Sequence, residues 1–181
     1  MSGPIWPGVE DYYMFILETE RLTLRELTDD DLTATREIVC DEQTMYAFDD
    51  AWSDEKNREG LEKQIKSYHE NGFGRWTVEL KETGQVIGIC GIMWQDTDKD
   101  RVPEIGYLFN RAFWHKGYAT EAAIACKNYA FNKLGFNEVF SIIRENNYSA
   151  MNVAIKNGML VRGRYKSEDA KYFNYIFSVK K

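Results

Sequence analysis

The chain has 181 residues, of which 44% are hydrophobic and 14% aromatic, and it carries a net charge of −6. This composition is typical of one compact domain with a sizeable core, and it excludes a disordered chain. The longest apolar runs, such as residues 86–94, are far shorter than the roughly 20 residues of a membrane helix. An acidic chain without a basic stripe is also not typical of nucleic-acid-binding proteins. We therefore expect neither a membrane nor a nucleic acid as a partner.

The N-terminal segment and the cysteines indicate where the protein works. Residues 1–15 have no basic start and no long apolar stretch, so they are not typical of a secretory signal. We interpret them as an arm that precedes a single domain at residues 16–181. Cys40, Cys90 and Cys126 are odd in number, widely spaced and set in apolar surroundings. Such cysteines are typical of buried thiols in a reducing cytoplasm, so we predict a cytoplasmic protein without a metal site.

Hydrophobic periodicity and turn residues predict the secondary structure in chain order. The predicted elements are a strand at 17–27, helices at 28–39 and 53–72, strands at 75–80, 86–94 and 102–109, a helix at 117–135, a strand at 138–144, a helix at 148–158, and closing strands at 159–166 and 171–180. Gly72 is a typical C-terminal stop for the second helix. This order predicts a mixed sheet with helices on both of its faces.

The start of the helix at 117–135 indicates a ligand. Gly117 follows the strand at 102–109, and no Ser or Asp side chain stands there to cap the helix. The first amides of a helix lack internal partners and attract anions, and a glycine lets a phosphate approach the backbone closely. His115 and Lys116 add further donors at the same place. The pattern favours a phosphate-bearing ligand, although an ordinary helix start with a solvated first turn fits the same residues.

Two segments carry a resemblance to a known family. Residues 114–119, WHKGYA, resemble the cofactor loop of the GNAT acetyltransferase superfamily, Gln/Arg-x-x-Gly-x-Gly/Ala, with Trp114 departing from its first position. Residues 147–159, NYSAMNVAIKNGM, resemble a second block of that superfamily. Four positions of this block fall in register: Asn147, Ala150, Lys156 and Gly158. The stretches ETERLTLREL and EIGYLF are similar to the branch of ribosomal-protein N-terminal acetyltransferases. The chain is identified as a member of this superfamily over residues 16–181.

The resemblance implies a GNAT-like α/β fold and a cofactor. It implies a central mixed, mostly antiparallel sheet of about seven strands, splayed at a cofactor cleft and flanked by about four helices. Acetyl-CoA would lie in this cleft, its pantetheine along the strand at 102–109 and its pyrophosphate on the amides of the loop. The residues that the resemblance assigns to acetyl-CoA are Tyr107, Leu108, Phe109, His115, Lys116, Gly117, Tyr118, Ala119, Thr120 and Asn147.

The implied chemistry is direct transfer of an acetyl group to a primary amine, on a protein N-terminus or a small molecule. A general base must take a proton from the amine. We expect Glu104, at the head of the cofactor strand, to be that base, although an ordinary ion-paired glutamate is an equal alternative. The acid positions of the family fall at Ala154 and Ala150, so the sequence identifies no acid. These alanines also motivate an alternative function, a non-catalytic acyl-CoA-binding sensor or scaffold.

The acceptor side is predicted from charge. Residues 26–62 contain 13 acidic and three basic side chains, which suits a cationic acceptor as well as it suits a solvated surface. Asp49, Asp50 and Trp52 lie in an aromatic and acidic stretch that the resemblance places beside the acceptor site, where it would hold an amine, and core packing is an equal alternative for its aromatic members. The expected partners are acetyl-CoA and this amine. We expect a monomer or a homodimer.

Overall fold

The computed structural model describes residues 15–168 and 170–181. The predicted arm at residues 1–15 lies outside the described residues except for Phe15. The elements are β1 (Phe15–Glu18), β2 (Leu22–Arg25), α1 (Leu32–Val39), α2 (Asp54–Asn71), β3 (Arg75–Leu80), β4 (Val86–Asp96), β5 (Arg101–Phe109), α3 (Tyr118–Asn132), β6 (Glu138–Arg144), α4 (Tyr148–Lys156), β7 (Leu160–Tyr165) and β8 (Asn174–Lys180). Short 3₁₀ turns precede α1 and follow β5.

The strands form one open sheet in the order β1-β2-β3-β4-β5-β6-β8-β7. Every pair is antiparallel except β5 with β6, which is parallel. The predicted mixed, mostly antiparallel sheet with about four helices is therefore confirmed. The described residues contain eight strands, one more than expected, because the predicted strand at 17–27 is two strands. The chain turns back after β1, where the Leu22 amide donates to Thr19 Oγ1 at 3.0 Å.

Helices cover both faces of the central strands. One buried cluster packs under α3 and includes Trp76, Cys90 and Ile92, whereas the smaller cluster under α1 and α2 includes Ile89 and Leu61. Neighbouring residues of β4 thus point to opposite clusters, which explains why this strand is apolar throughout rather than alternating. The predicted buried thiols are present at Cys90 and Cys126, whose sulfur atoms lie 3.5 Å apart without a disulfide between them. Cys40 is half-buried.

The sheet opens between β5 and β6. Within the described chain these parallel strands are in register at one pair of residues, Glu104 and Phe140. Beyond that pair, side chains form hydrogen bonds to backbone groups that would bond to each other in a continuous parallel ladder. The Ile142 amide donates to Glu104 Oε1 at 3.1 Å, and Ser141 Oγ donates to the Ile105 carbonyl at 2.8 Å. The strands then diverge, and their facing edges become the walls of a cleft.

A buried ion cluster joins the first half of the sheet to the segment before α1. Arg25 is 5% exposed, and its two terminal nitrogens each donate to Asp31 at 2.8 Å. Its Nε donates to Glu79 at 2.8 Å, and the Thr28 amide donates to Asp31. Burial would raise the pKa of Asp31, but the bonds from Arg25 and from the Thr28 amide outweigh it and hold that pKa below its usual range.

Asp31→Ala should destabilise the protein strongly, because it leaves the buried Arg25 guanidinium without its bidentate partner. Losing one member of a buried pair costs about 3–5 kcal/mol, which urea unfolding at neutral pH measures. Because the folded-state pKa of Asp31 is lowered, its contribution is present above the ordinary value of 3.8 and is lost as the pH falls through the folded-state value. The difference in free energy of unfolding between the wild type and Asp31→Ala should therefore become smaller in acid. Glu70→Ala, which removes an exposed pair with Lys66, should change the midpoint little.

Candidate functional site

The cleft between β5 and α4 holds a cavity of about 430 Å³. Its walls are the end of β5, the loop that leads into α3, the first turns of α4 and the segment at residues 44–48. Nine of the ten residues assigned to acetyl-CoA line it: Tyr107, Leu108, Phe109, His115, Gly117, Tyr118, Ala119, Thr120 and Asn147. Lys116 is exposed beside the cavity, and its ammonium lies 5.0 Å from the centre of the Phe113 ring. The structure thus brings the two family-like segments together around one space.

The loop before α3 turns through two left-handed residues. His115 has a φ of 61° and Gly117 a φ of 84°, after which α3 begins at Tyr118. No side chain of the described residues caps this helix at Gly117. Gly117 and the first three residues of α3 line the cleft, and the free amides and dipole of a helix start favour an anion.

Arg21 braces this loop from outside the cleft. Its Nη1 donates to the Lys116 carbonyl at 3.0 Å, and its Nε donates to Glu121 at 2.7 Å. The guanidinium also lies 4.4 Å from the centre of the Tyr118 ring. Arg21 is not among the residues predicted from sequence, because nothing in its local pattern indicates a contact with a residue 95 positions later.

A second cavity of about 270 Å³ lies where β5 and β6 begin to separate. It contains Arg75, Glu104 and Arg144, and it shares five lining residues with the larger cavity: Phe48, Tyr107, Leu108, Asn147 and Ala150. A group bound in one cavity and a group bound in the other would meet at these shared residues. The arrangement therefore suits two substrates that react at a junction.

Glu104 forms part of the floor of the second cavity. It is 7% exposed, and its Oε2 lies 3.5 Å from Arg75 Nη2. Burial raises the pKa of this carboxyl, and the Arg75 charge and the Ile142 amide offset the rise only partly. A carboxylate with a raised pKa is a stronger base, which is the property expected of a group that takes a proton from an amine.

Tyr107 places a hydroxyl at the junction of the two cavities. Of the five shared residues it alone carries a hydroxyl, which donates to the Ala150 carbonyl at 2.9 Å. Burial, together with nearby Cys90 and Glu104, raises the pKa of Tyr107 well above its usual value, so the phenol stays protonated. The sequence predicts that Tyr107 contributes only its backbone, because the position of a residue in a strand does not indicate which helix its side chain contacts.

Asn147 connects α4 to the segment that covers the cleft. It caps α4, where its Oδ1 accepts from the Ala150 amide at 3.1 Å. The same oxygen accepts from the Tyr46 hydroxyl at 3.0 Å, and the Tyr46 ring packs edge-on against Trp114. Tyr46 therefore spans the larger cavity between its two family-like segments, although it lies in neither of them.

The three residues proposed for the acceptor are not brought together. Asp49 is paired with Arg144 at 2.9 Å, and Asp50 is exposed and lines neither cavity. Trp52 packs on the side of α1 and α2, with Lys56 5.2 Å from its ring centre. Trp52 therefore belongs to the smaller core cluster, which was the alternative left open for it.

Two features are absent from the part of the chain that the structure describes. No helix of that part is long and apolar enough to cross a membrane. Residues 15–168 and 170–181 also contain no group of three or more His, Cys, Asp or Glu side chains that is arranged to hold a metal ion.

Several known proteins are similar to this chain in sequence or in architecture. Residues 21–160 match the family model of the acetyltransferase (GNAT) domain, and the uncharacterized protein YkkB of Bacillus subtilis (strain 168) is 33% identical over 79% of this chain and 84% of its own. An acetyltransferase from Agrobacterium tumefaciens str. C58 superposes with a TM-score of 0.80 at 26% identity, covering 96% of this chain and 100% of that one. RimL, the ribosomal L7/L12 alpha-N-protein acetyltransferase in complex with coenzyme A, shares the fold with a TM-score of 0.76 at 13% identity, over 92% of this chain and 98% of its own. The chain belongs to the GNAT acetyltransferase family.

Proposed function

We propose that the protein transfers an acetyl group from acetyl-CoA directly to a primary amine. The observation that carries this proposal is the pair of cavities that meet at Tyr107, one below an uncapped helix start and one above a buried carboxylate. The larger cavity would hold acetyl-CoA, and the smaller one the amine. Three free thiols and the use of acetyl-CoA are in keeping with a cytoplasmic protein.

The loop before α3 is the proposed pyrophosphate site. The amides from His115 to Thr120 would donate to the phosphate oxygens, and the bare backbone at Gly117 leaves room for them. Asn147 and the free edge of β5 would hydrogen-bond the pantetheine arm. Tyr46 would have to release Asn147 or share it, because its hydroxyl bonds the same amide oxygen.

Acetyl-CoA supplies the acetyl group as a thioester, whose C–S bond breaks as the amine nitrogen bonds to the carbonyl carbon. Glu104 would take the proton that the amine loses, directly or through water, and its raised pKa suits that role. Amides on the free edge of β5 would polarise the carbonyl. The departing thiolate sulfur takes one proton, so that free coenzyme A leaves as a thiol.

Tyr107 is the proposed source of that proton. The family acid positions are Ala150 and Ala154, neither of which carries a proton to give. The Tyr107 hydroxyl reaches the Ala150 carbonyl from the opposite wall of the cleft, which places a phenol O–H next to a family acid position. A phenol supplied by the strand would thus replace an acid normally supplied by the helix.

Coenzyme A should raise the melting temperature of the protein by several degrees, because a ligand that binds only the folded state stabilises it by mass action. Gly117→Val should abolish that rise, because a β-branched residue disfavours the left-handed backbone of this loop, at a φ of 84°, and its Cβ would lie 3.4 Å from Arg21 Nη2, which braces the loop. Gly84→Val is the matched control, because Gly84 also has a positive φ, of 68°, but lies in the open turn before β4. An equal rise in both folded variants would contradict the assignment of the loop.

Glu104→Gln should slow acetyl transfer by about 100-fold, within the range for one general base. Glutamine still accepts from the Ile142 amide, so the fold should persist. Wild-type kcat/KM for the amine should rise with pH as Glu104 loses its proton, and the variant should lack that rise. Thiol release is the assay. Thermal stabilisation by coenzyme A without turnover of any primary amine would instead support the sensor alternative.

Tyr107→Phe should lower kcat by about 100-fold, at the lower end of the range for a proton-transferring group. The KM for acetyl-CoA should change little. Tyr148→Phe removes the same hydroxyl from a side chain that is 71% exposed and lines neither cavity, and it should retain wild-type kinetics. An unchanged kcat in Tyr107→Phe would show that the thiolate takes its proton from elsewhere.

A further inference from the structure

The second cavity carries more positive than negative charge. Arg75 and Arg144 line it, against the single carboxylate of Glu104 among its described lining residues. The other polar side chains of its lining are neutral: Gln95, Tyr107, Ser141, Asn147, Tyr165 and Asn174. No acidic side chain of residues 26–62 is among the lining residues of this cavity, although Asp49 pairs with Arg144 at its wall.

Arg75 keeps donor capacity for a ligand. Its contact with Glu104 is long, at 3.5 Å, and its buried Nε has no hydrogen-bond partner among the described residues. Gly106 makes room for this guanidinium, because a Cβ at that position would lie 2.6 Å from Arg75 Nη2. A buried donor without a partner costs free energy, which a bound acceptor atom would recover.

Arg144 already binds an anion that is easily displaced. Its side chain is 21% exposed and is paired with Asp49, whose side chain is 81% exposed. The guanidinium also lies 5.3 Å from the centre of the Tyr172 ring, so it is held on the wall of the cavity. An exposed carboxylate gains little from such a pair, whereas a planar guanidinium binds a second carboxylate in bidentate geometry.

We propose that the acceptor amine carries a carboxylate of its own, which Arg144 binds in place of Asp49 while Arg75 adds positive charge near the amine. This inference rests on the proposed acetyl transfer and names the substrate class of the same site. It replaces the expectation of a cationic acceptor. Asp49 becomes a competitor for the acceptor anion rather than a residue that attracts the amine.

The strand geometry sets how far the carboxylate lies from the amine. Glu104 is in register with Phe140, and Arg144 lies four residues further along β6, which corresponds to about 13 Å of strand. Even with a long arginine side chain reaching back, the two charged groups of the acceptor must be separated by several bonds. A short acidic peptide or an ω-amino acid fits this separation, whereas a free α-amino acid does not.

The test compares amines that differ only in their second group. The probes are 6-aminohexanoate, hexylamine and 1,6-diaminohexane, with thiol release from acetyl-CoA as the readout. A parallel set uses the amidated tripeptides Ser-Glu-Glu, Ser-Gln-Gln and Ser-Lys-Lys. In the set whose backbone fits the cavity, we expect kcat/KM to be about 10-fold or more higher for the anionic probe than for the neutral one, in line with a charge-assisted hydrogen bond. The cationic probe should be slowest.

Two arginine variants distinguish a direct contact between Arg144 and the acceptor carboxylate from the effect of the protein's overall charge. Arg144→Gln should bring the anionic and neutral probes to the same kcat/KM. Arg58→Gln removes the same charge from an exposed position on α2 that lines neither cavity, and it should keep the wild-type preference. Asp49→Asn should lower the KM for the anionic probe, because the competing carboxylate is gone.

The outcomes distinguish this inference from the function on which it rests. Turnover that is fastest with the cationic probes, or an anion preference that survives Arg144→Gln, would overturn the anionic acceptor and leave acetyl transfer standing. Binding of coenzyme A with no turnover of any of the six probes would overturn both. A higher KM for the anionic probe in Asp49→Asn would return Asp49 to its predicted role in binding the amine.

Discussion

The break in the ladder between β5 and β6 is the constraint on which the site depends. A parallel pair of strands normally continues to exchange hydrogen bonds along its length, and unpaired backbone groups are costly when buried. Here the described strands are in register at Glu104 and Phe140 and then part. Everything placed at the site, from the amides on the free strand edge to the two cavities, follows from this divergence.

Glu104 has a structural role as well as its proposed chemical one. Its Oε1 accepts from the Ile142 amide, and Ser141 donates to the Ile105 carbonyl, so side chains close the ladder where the strands separate. The same position buries the carboxyl and raises its pKa. A residue that ends the pairing of two strands is thus also held at the point where two substrates would meet, with its orientation already restricted.

The segment after α1 connects the two cavities to each other. Tyr46 reaches the oxygen of Asn147 over the larger cavity, and Asp49 reaches Arg144 at the smaller one. Both contacts use groups that the proposed ligands would also use, namely the amide that would hold pantetheine and the guanidinium that would hold a carboxylate. The segment therefore places its own side chains at the proposed ligand positions, which lowers the free-energy cost of these positions when no ligand is bound.

The sequence by itself determined most of the elements and the family, and it predicted a cofactor loop before α3. Those features are local: the alternation of β3 and β6, Gly72 at the end of α2, and the glycine that begins α3 each depend on neighbours a few residues away. The division of residues 17–27 into two strands, the reach of Tyr107 to Ala150, and the pairing of Asp49 with Arg144 depend instead on residues that the fold brings together. Charge counted along the chain predicted a cationic acceptor, whereas only tertiary structure decides which charges face the same cavity.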